Sequence, residues 1–225
     1  MTQNISHAVM QQRREPHDSL DDFPTPPWAT RALCEHVIQW HIRRDDMTAW
    51  EPACNRGYMV RPLREYFCRV FATDIHDYGV AGFDGVLDFL FAGQSNEFFR
   101  PDWIITNPPF RLAEEFIARA DEIAARGYAV LVRSAFLESV GRYENLFSKN
   151  PPSIIAQFSE RVIMHKGTIR DPNKNYLDKN SGKMKKPSTA TSYCWLVWIK
   201  GYRSPSQFNW IPPCRKALER VGDYD

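Results

Sequence analysis

The stretch Asp102-Trp103-Ile104-Ile105-Thr106-Asn107-Pro108-Pro109-Phe110 constrains this chain more than any other. Trp103 to Thr106 is a short apolar run after the breaker Pro101, which predicts a buried strand. Pro108 and Pro109 stop it abruptly. They lack N–H groups and hold φ fixed, so they cannot extend a sheet. The residue before each proline is pushed out of the helical region. The Asn107 side-chain oxygen and the Pro108 carbonyl thereby become fixed acceptors at the carboxyl end of a strand. In open α/β sheets that end is where ligands bind. Phe110 follows as a flat apolar plate. Two acceptors beside an aromatic face suit a planar heterocycle with an exocyclic NH₂: the amine donates both hydrogens and the ring stacks. The competing reading is a Pro-Pro turn that closes a strand, with Phe110 in the core.

The 225 residues suit one α/β domain with a small appendage, and 14 Phe, 9 Tyr and 7 Trp are ample for one core. No apolar run reaches the ~18 residues of a membrane span, so no membrane association is expected. Residues 1–22 are polar, lack the apolar centre of a secretory signal, and read as a flexible tail. Five cysteines without a C-x-x-C pair or zinc spacing point to reduced thiols in a cytoplasmic protein and to no structural metal. The net charge of +2 is too small to argue for nucleic acid. Its distribution says more: residues 161–190 hold eight Lys/Arg against two Asp, so +6, leaving −4 for the rest.

In chain order, Thr25 is a plausible helix N-cap with Pro26 at the first helical position. Leu33, Val37, Ile38 and Trp40 give that helix an apolar face up to about Ile42. Thr48 to Glu51 reads as a strand, followed by a tight turn through Asn55 and Gly57 and a helix from about Met59 to Phe67. Asn is among the few non-glycine residues that tolerate positive φ, so the turn can form with Asn55 in it. Val70 to Ile75 is the second strand and ends in Asp74, about 20 residues past the turn, where an acid can reach ribose hydroxyls. Leu112, Phe116, Ala120 and Ile123 line a helix that ends near Gly127, and Tyr128 to Arg133 is the next strand. Glu138 to Phe147 reads as helix, Ser153 to Phe158 and Arg161 to His165 as strands, and Tyr193 to Lys200 as the strongest strand in the chain. Residues 204–225 form a tail with one short helix near Arg215 to Val221.

Asn107-Pro108-Pro109-Phe110 resembles the catalytic motif of S-adenosylmethionine-dependent amino-methyltransferases that act on adenine N6. Glu51-Pro52-Ala53-Cys54-Asn55-Arg56-Gly57 resembles their cofactor loop, acidic-Pro-x-x-Gly-x-Gly, with Asn55 in the place of the first glycine. Thr25-Pro26 resembles the Thr-Pro segment that lines the methionine end of the cofactor. The order of the three resembles the gamma arrangement, and the small size resembles compact phage- or prophage-type enzymes. The resemblance spans about Phe23 to Phe136 by motif and, more loosely, the chain to Lys200.

It implies a Rossmann-like class I methyltransferase fold over residues 23–203, with a seven-stranded mixed sheet and a terminal antiparallel hairpin. It implies S-adenosylmethionine as cofactor, held by Thr25, Pro26, Glu51, Pro52, Ala53, Cys54, Asn55, Gly57, Asp74, Ile75, Asp88, Phe89 and Asn107. In that reading Asp74 accepts the ribose hydroxyls and Ile75 packs on the cofactor adenine. Asp88 with Phe89 meets the adenine amine, with Asp84 as the fallback. Asn107, Pro108, Pro109 and Phe110 are the implied catalytic residues. Their target is an adenine extruded from double-stranded DNA, because the amine cannot be reached inside the stack.

A chain this short leaves no room for a large recognition domain, and the polar segment 167–187 is the natural substitute. Lys174, Lys179, Lys183, Lys185 and Lys186 around Tyr176 suit phosphates, and Asn173, Asn175 and Asn180 suit adenine edges. The plain alternative is a solvated loop, in which case Arg111, Arg133 and Arg142 near the catalytic mouth are the next candidates for DNA contact. Rival functions are adenine methylation of RNA, glutamine methylation of protein, and a non-catalytic DNA-binding relic of the fold. Nothing in the sequence speaks to oligomeric state.

Overall fold

The computed structural model describes residues 21–42, 45–91, 100–178 and 181–225. The elements run α1 (Pro27–His36), β1 (Thr48–Glu51), α2 (Val60–Leu63), β2 (Arg69–Asp74), β3 (Gly85–Val86), β4 (Trp103–Thr106), α3 (Ala113–Ile123) and β5 (Gly127–Arg133). A 3₁₀ turn (Ser134–Leu137) and α4 (Val140–Arg142) precede β6 (Ile154–Phe158), β7 (Tyr176–Asp178), β8 (Lys183–Lys185), β9 (Tyr193–Ile199), β10 (Gln207–Ile211) and α5 (Arg215–Leu218). Eight strands form one sheet in the order β10-β6-β9-β5-β4-β1-β2-β3, and β7 and β8 form a separate hairpin.

Strands β1 to β5 are parallel to their neighbours, while β9 inserts antiparallel between β5 and β6. Its run Tyr193 to Trp198 is buried on both faces. So are Trp103 to Ile105 and Tyr128 to Val132, which is why these segments read as continuous apolar runs rather than alternating ones. Trp103, Ile105, Ala129 and Leu131 face one apolar layer with Trp28 and Leu33 of α1. Ile104, Tyr128 and Val130 face the other, with Phe116 and Ile117 of α3. Each fully buried Ile or Leu contributes about 1.5–3 kcal/mol, so these central strands fix the register of the whole sheet. Gly127 opens β5 where a Cβ would lie 2.7 Å from the Trp198 carbonyl oxygen and 2.8 Å from the Trp103 ring.

The sheet has eight strands, not the expected seven. Two strands lie outside the expected set: β3, between Asp84 and Asp88, and β10, in the segment expected to be tail, which pairs parallel to β6 from Gln207↔Ile154 to Ile211↔Phe158. Arg161 to His165 is not a strand; Val162 and Met164 are buried in irregular backbone. Helix α1 ends at His36, and Trp40 is exposed rather than on its buried face. Its N-cap is Pro26, with Pro27 at the first helical position, so Thr25 is released from capping. The helix after Asn55 is the short α2, and 138–147 is α4 followed by one wide turn over Tyr143–Phe147. Segment 167–187 is not featureless, since it carries the hairpin β7–β8. Of the expected tail, residues 1–20 lie outside the described residues, and Asp21 and Asp22 are held against the turns that follow β4 and β1.

Candidate active site

The chain leaves β1 toward β2 on one side and reaches β4 on the other, so the sheet order reverses at β1. A crevice must open at the carboxyl ends beside such a reversal, because the two connections depart in opposite directions. An open cleft lies there. Glu51 ends β1, Asp74 ends β2 and Asn107 follows β4, and all three line it. Thr25, Pro52, Ala53, Cys54, Asn55, Ile75, Asp88, Phe89 and Pro109 line it too. Of the other residues singled out from the sequence, Pro26 caps α1, Gly57 holds the turn at φ +77°, Pro108 is buried, and Phe110 lies outside the cleft lining.

Asn107 is locked by its surroundings. Its Nδ2 donates to the Phe23 carbonyl and to Thr25 Oγ1, both at 3.0 Å. A carbonyl oxygen only accepts, so the amide nitrogen must face Phe23 and the orientation of the amide is fixed. Its Oδ1 is buried and has no partner among the described residues. An orphaned buried acceptor typically costs about 1–3 kcal/mol, and here it belongs to a residue that lines the cleft. The Met164 thioether also lies 3.9 Å from Nδ2 and 3.8 Å from Thr25 Oγ1, which donates to it.

The turn after β1 is built as its residues suggest. Asn55 takes φ +49° in the left-handed region, and its Oδ1 accepts from the Arg56 amide at 2.7 Å. The Asn55 amide donates to Asp74 Oδ2 at 2.9 Å, and the His76 amide donates to Oδ1 at 3.0 Å. Burial raises the Asp74 carboxyl above its ordinary value, against the pull of those two amides. Glu51 is fully buried, and burial pushes its carboxyl up to about 8; the Ala53 amide, 3.1 Å from Oε1, offsets part of this. Asp88 is in the cleft lining and accepts from the Leu90 amide at 2.9 Å, whereas Asp84 accepts from the Ala72 amide and is not in the lining. Phe89 is a buried wall, edge-on to Trp50 at 5.3 Å. Cys54 is buried with its thiol pushed far up by burial, so it is no nucleophile at neutral pH.

Neither protein-family models nor curated proteins match this sequence. Solved structures do match the fold. The methyltransferase subunit of a type I restriction-modification system from Streptococcus thermophilus aligns over 90% of this chain and 50% of its own, with a TM-score of 0.61 and 10% identity. A modification subunit of a candidate type I restriction enzyme from Vibrio vulnificus aligns over the same shares, with a TM-score of 0.53 and 14% identity. A candidate RNA methyltransferase from Pyrococcus horikoshii aligns over 86% of this chain and 94% of its own, with a TM-score of 0.54 and 15% identity. The fold is that of class I methyltransferases. This chain spans about half the length of the two type I subunits.

On this methyltransferase fold, several residues around the cleft carried no local signal in the sequence. Asp21, at φ +50°, accepts from the Phe110 amide, and Asp22 accepts from Asn55 Nδ2 at 2.7 Å and from Arg56 at 2.9 Å. Together they strap the turn after β1 to the Asn-Pro-Pro-Phe turn. Phe110 packs on Phe23 at 5.6 Å and on Tyr193 at 6.4 Å, with the Arg133 guanidinium 4.0 Å over its ring.

The basic hairpin is mounted nearby: the Asp22 carbonyl accepts from the Gly167 amide, and His165, next to Met164, meets the Tyr176 ring at 5.8 Å. Its lysines carry more counter-charge than their sequence suggests, since Lys174 pairs with Asp171 at 3.6 Å and Lys185 pairs with Asp178. Lys183 and Lys186 are exposed, and Lys179 and Asn180 lie outside the described residues. Among the described residues, no His/Cys/Asp/Glu group could hold a metal ion, and no helix is long and apolar enough to cross a membrane.

Proposed function

We propose that this protein transfers a methyl group from S-adenosylmethionine to the exocyclic N6 amine of adenine in DNA. The observation that carries the reading is the Asn107 amide in the cleft lining, whose nitrogen donates to two fixed acceptors while its buried oxygen has no partner among the described residues.

The residues of the cleft fit the cofactor. The left-handed Asn55 lets the backbone come close to a ligand, and the two oxygens of Asp74 keep lone pairs for ribose hydroxyls beyond the two amides they accept. When bound, S-adenosylmethionine supplies an electrophilic methyl group. This chain supplies the geometry. Asn107 Oδ1 and the Pro108 carbonyl accept the two N–H bonds of the target amine, which draws the nitrogen lone pair out of ring conjugation and aims it at the methyl. An amide oxygen is too weak a base to keep a proton, so the one lost by the methylated nitrogen passes to water. Catalysis is then positioning and preorganised polarity. Extrusion of the base from the duplex brings the amine to the cleft.

DNA is favoured as substrate by the basic hairpin beside the cleft and by the two neighbours of the same fold that serve type I restriction systems. The test is methyl transfer from labelled cofactor to duplex DNA, single-stranded DNA and RNA, followed by digestion to nucleosides. Label should appear as N6-methyladenine in DNA. The Asn107→Ala variant should bind cofactor and lose about 10²–10³ in rate. Label confined to RNA would overturn the substrate, and a parent that does not bind cofactor would overturn the activity.

A further inference from the structure

The geometry points to Arg133 as a phosphate-binding residue that holds one face of Phe110 until the target base takes it. This inference rests on the adenine-methylation reading above and adds a subsite to it.

Arg133 is placed by the sheet. β4 and β5 are in register from Trp103↔Gly127 to Thr106↔Val130, so Leu131 to Arg133 run on past the end of β4, alongside the Asn-Pro-Pro-Phe turn. The guanidinium carbon sits 4.0 Å over the Phe110 ring centroid. The side chain is partly buried, its Nε is shut off from solvent without a partner, and among the described residues it makes no hydrogen bond or ion pair. Neighbouring arginines differ. Arg56 is paired with Asp22 at 2.9 Å, Arg142 with Glu114 at 2.9 Å, and Arg119 with Glu122 at 2.8 Å. A half-buried cation with no carboxylate is an expensive arrangement unless its charge is kept for a ligand.

The ring contact suggests which ligand. A guanidinium is planar and delocalised and stacks on an aromatic face much as a nucleobase does. The remaining contacts of Phe110 are already made by Phe23 and Tyr193. A base stacking on the ring must therefore displace the guanidinium. A target nucleotide brings both what displaces it and what receives it: its base covers the ring, and its own phosphate offers the oxygens that a guanidinium binds in a fork. Rotation about the Arg133 side chain is enough for the exchange. The substrate-free ring is kept covered, and a nucleotide is favoured over a free base or nucleoside.

The test uses the full chain saturated with S-adenosylhomocysteine, so that adenine compounds cannot enter the cofactor site. Deoxyadenosine and deoxyadenosine 5′-monophosphate are titrated by NMR into the parent, Arg133→Lys and Arg133→Gln. The parent should prefer the monophosphate by about tenfold, the size of one charge-assisted hydrogen bond. Arg133→Gln should abolish the preference and bind deoxyadenosine at least as well as the parent does. Arg133→Lys should keep most of the preference, because the charge remains. A parent without the preference, or an Arg133→Gln variant that retains it, overturns the inference. Calorimetry with S-adenosylhomocysteine alone separates the two readings. If the parent fails to bind it, the methyltransferase reading falls. If every variant binds it and the phosphate preference is unmoved, only the role of Arg133 falls.

Discussion

Glu51→Gln isolates the effect of one buried carboxyl on the stability of the empty protein. Glu51 is fully buried at the end of β1, and burial raises its carboxyl from 4.5 to about 8. A raised carboxyl means that the folded chain holds a proton the unfolded chain has already released. Between pH 4.5 and about 8 the folded state therefore binds more protons, and stability must fall as pH rises through that window. At about 1.4 kcal/mol per pH decade the full effect is about 5 kcal/mol, a ceiling that local water entry and relaxation reduce to a few kcal/mol. Even so it is a large share of the ~5–15 kcal/mol by which domains are usually stable. Gln has nearly the same shape and no charge. The variant should match the parent near pH 4.5, grow more stable than the parent as pH rises, and hold a constant advantage above about 8. Urea midpoints of both proteins across this range, without cofactor, measure the difference directly and cancel every other titrating group. Parallel curves for parent and variant would refute the reasoning, because they would mean that Glu51 is ionised in the fold as it is in water.

Thr25→Val removes one of the two acceptors that pin Asn107 Nδ2 and leaves the Phe23 carbonyl. It should lower the turnover of methyl transfer by up to about tenfold, from the loss of about 0.5–1.5 kcal/mol, with little change in the melting temperature; an unchanged kcat would show that the second tether is idle. Gly127→Ala drives a methyl group against the Trp198 carbonyl and the Trp103 ring, so it should destabilise by about 1–3 kcal/mol in a denaturant titration, and parental stability would contradict the close approach. Lys183→Ser combined with Lys186→Ser should lower the salt slope of duplex binding by about 0.9 for each phosphate no longer neutralised, without moving cofactor affinity. If the slope stays as in the parent, the hairpin is not the DNA arm.

Features that depend on neighbours along the chain could be read from the residues alone. The strands over Trp103–Thr106, Tyr128–Arg133 and Tyr193–Ile199 were legible because runs buried on both faces need no partner to be recognised. The turn at Asn55 and Gly57 was legible because only a few residue types accept positive φ, and both take it. Cleft residues from Glu51 to Asn55, with Asp74, Asp88 and Asn107, were legible from motif and order, and the reversal of the sheet at β1 gathers them.

Other features exist only in the packed chain. Edge strand β10 has Phe208 and Trp210 exposed, so it lacks the buried pattern that marks a strand, and only pairing with β6 makes it one. Thr25 gave a local capping signal, yet Pro26 takes the cap and the threonine turns to Asn107, a contact 82 residues away along the chain. Asp21 and Met164 come to the Asn107 turn from two distant segments, and no local pattern records such an approach. A sequence carries propensity and period, which act over a few residues. Which buried polar atoms lack a hydrogen-bond partner among the described residues, such as Asn107 Oδ1 and Arg133 Nε, is settled by packing, because burial and pairing exist only once the sheet has closed over them.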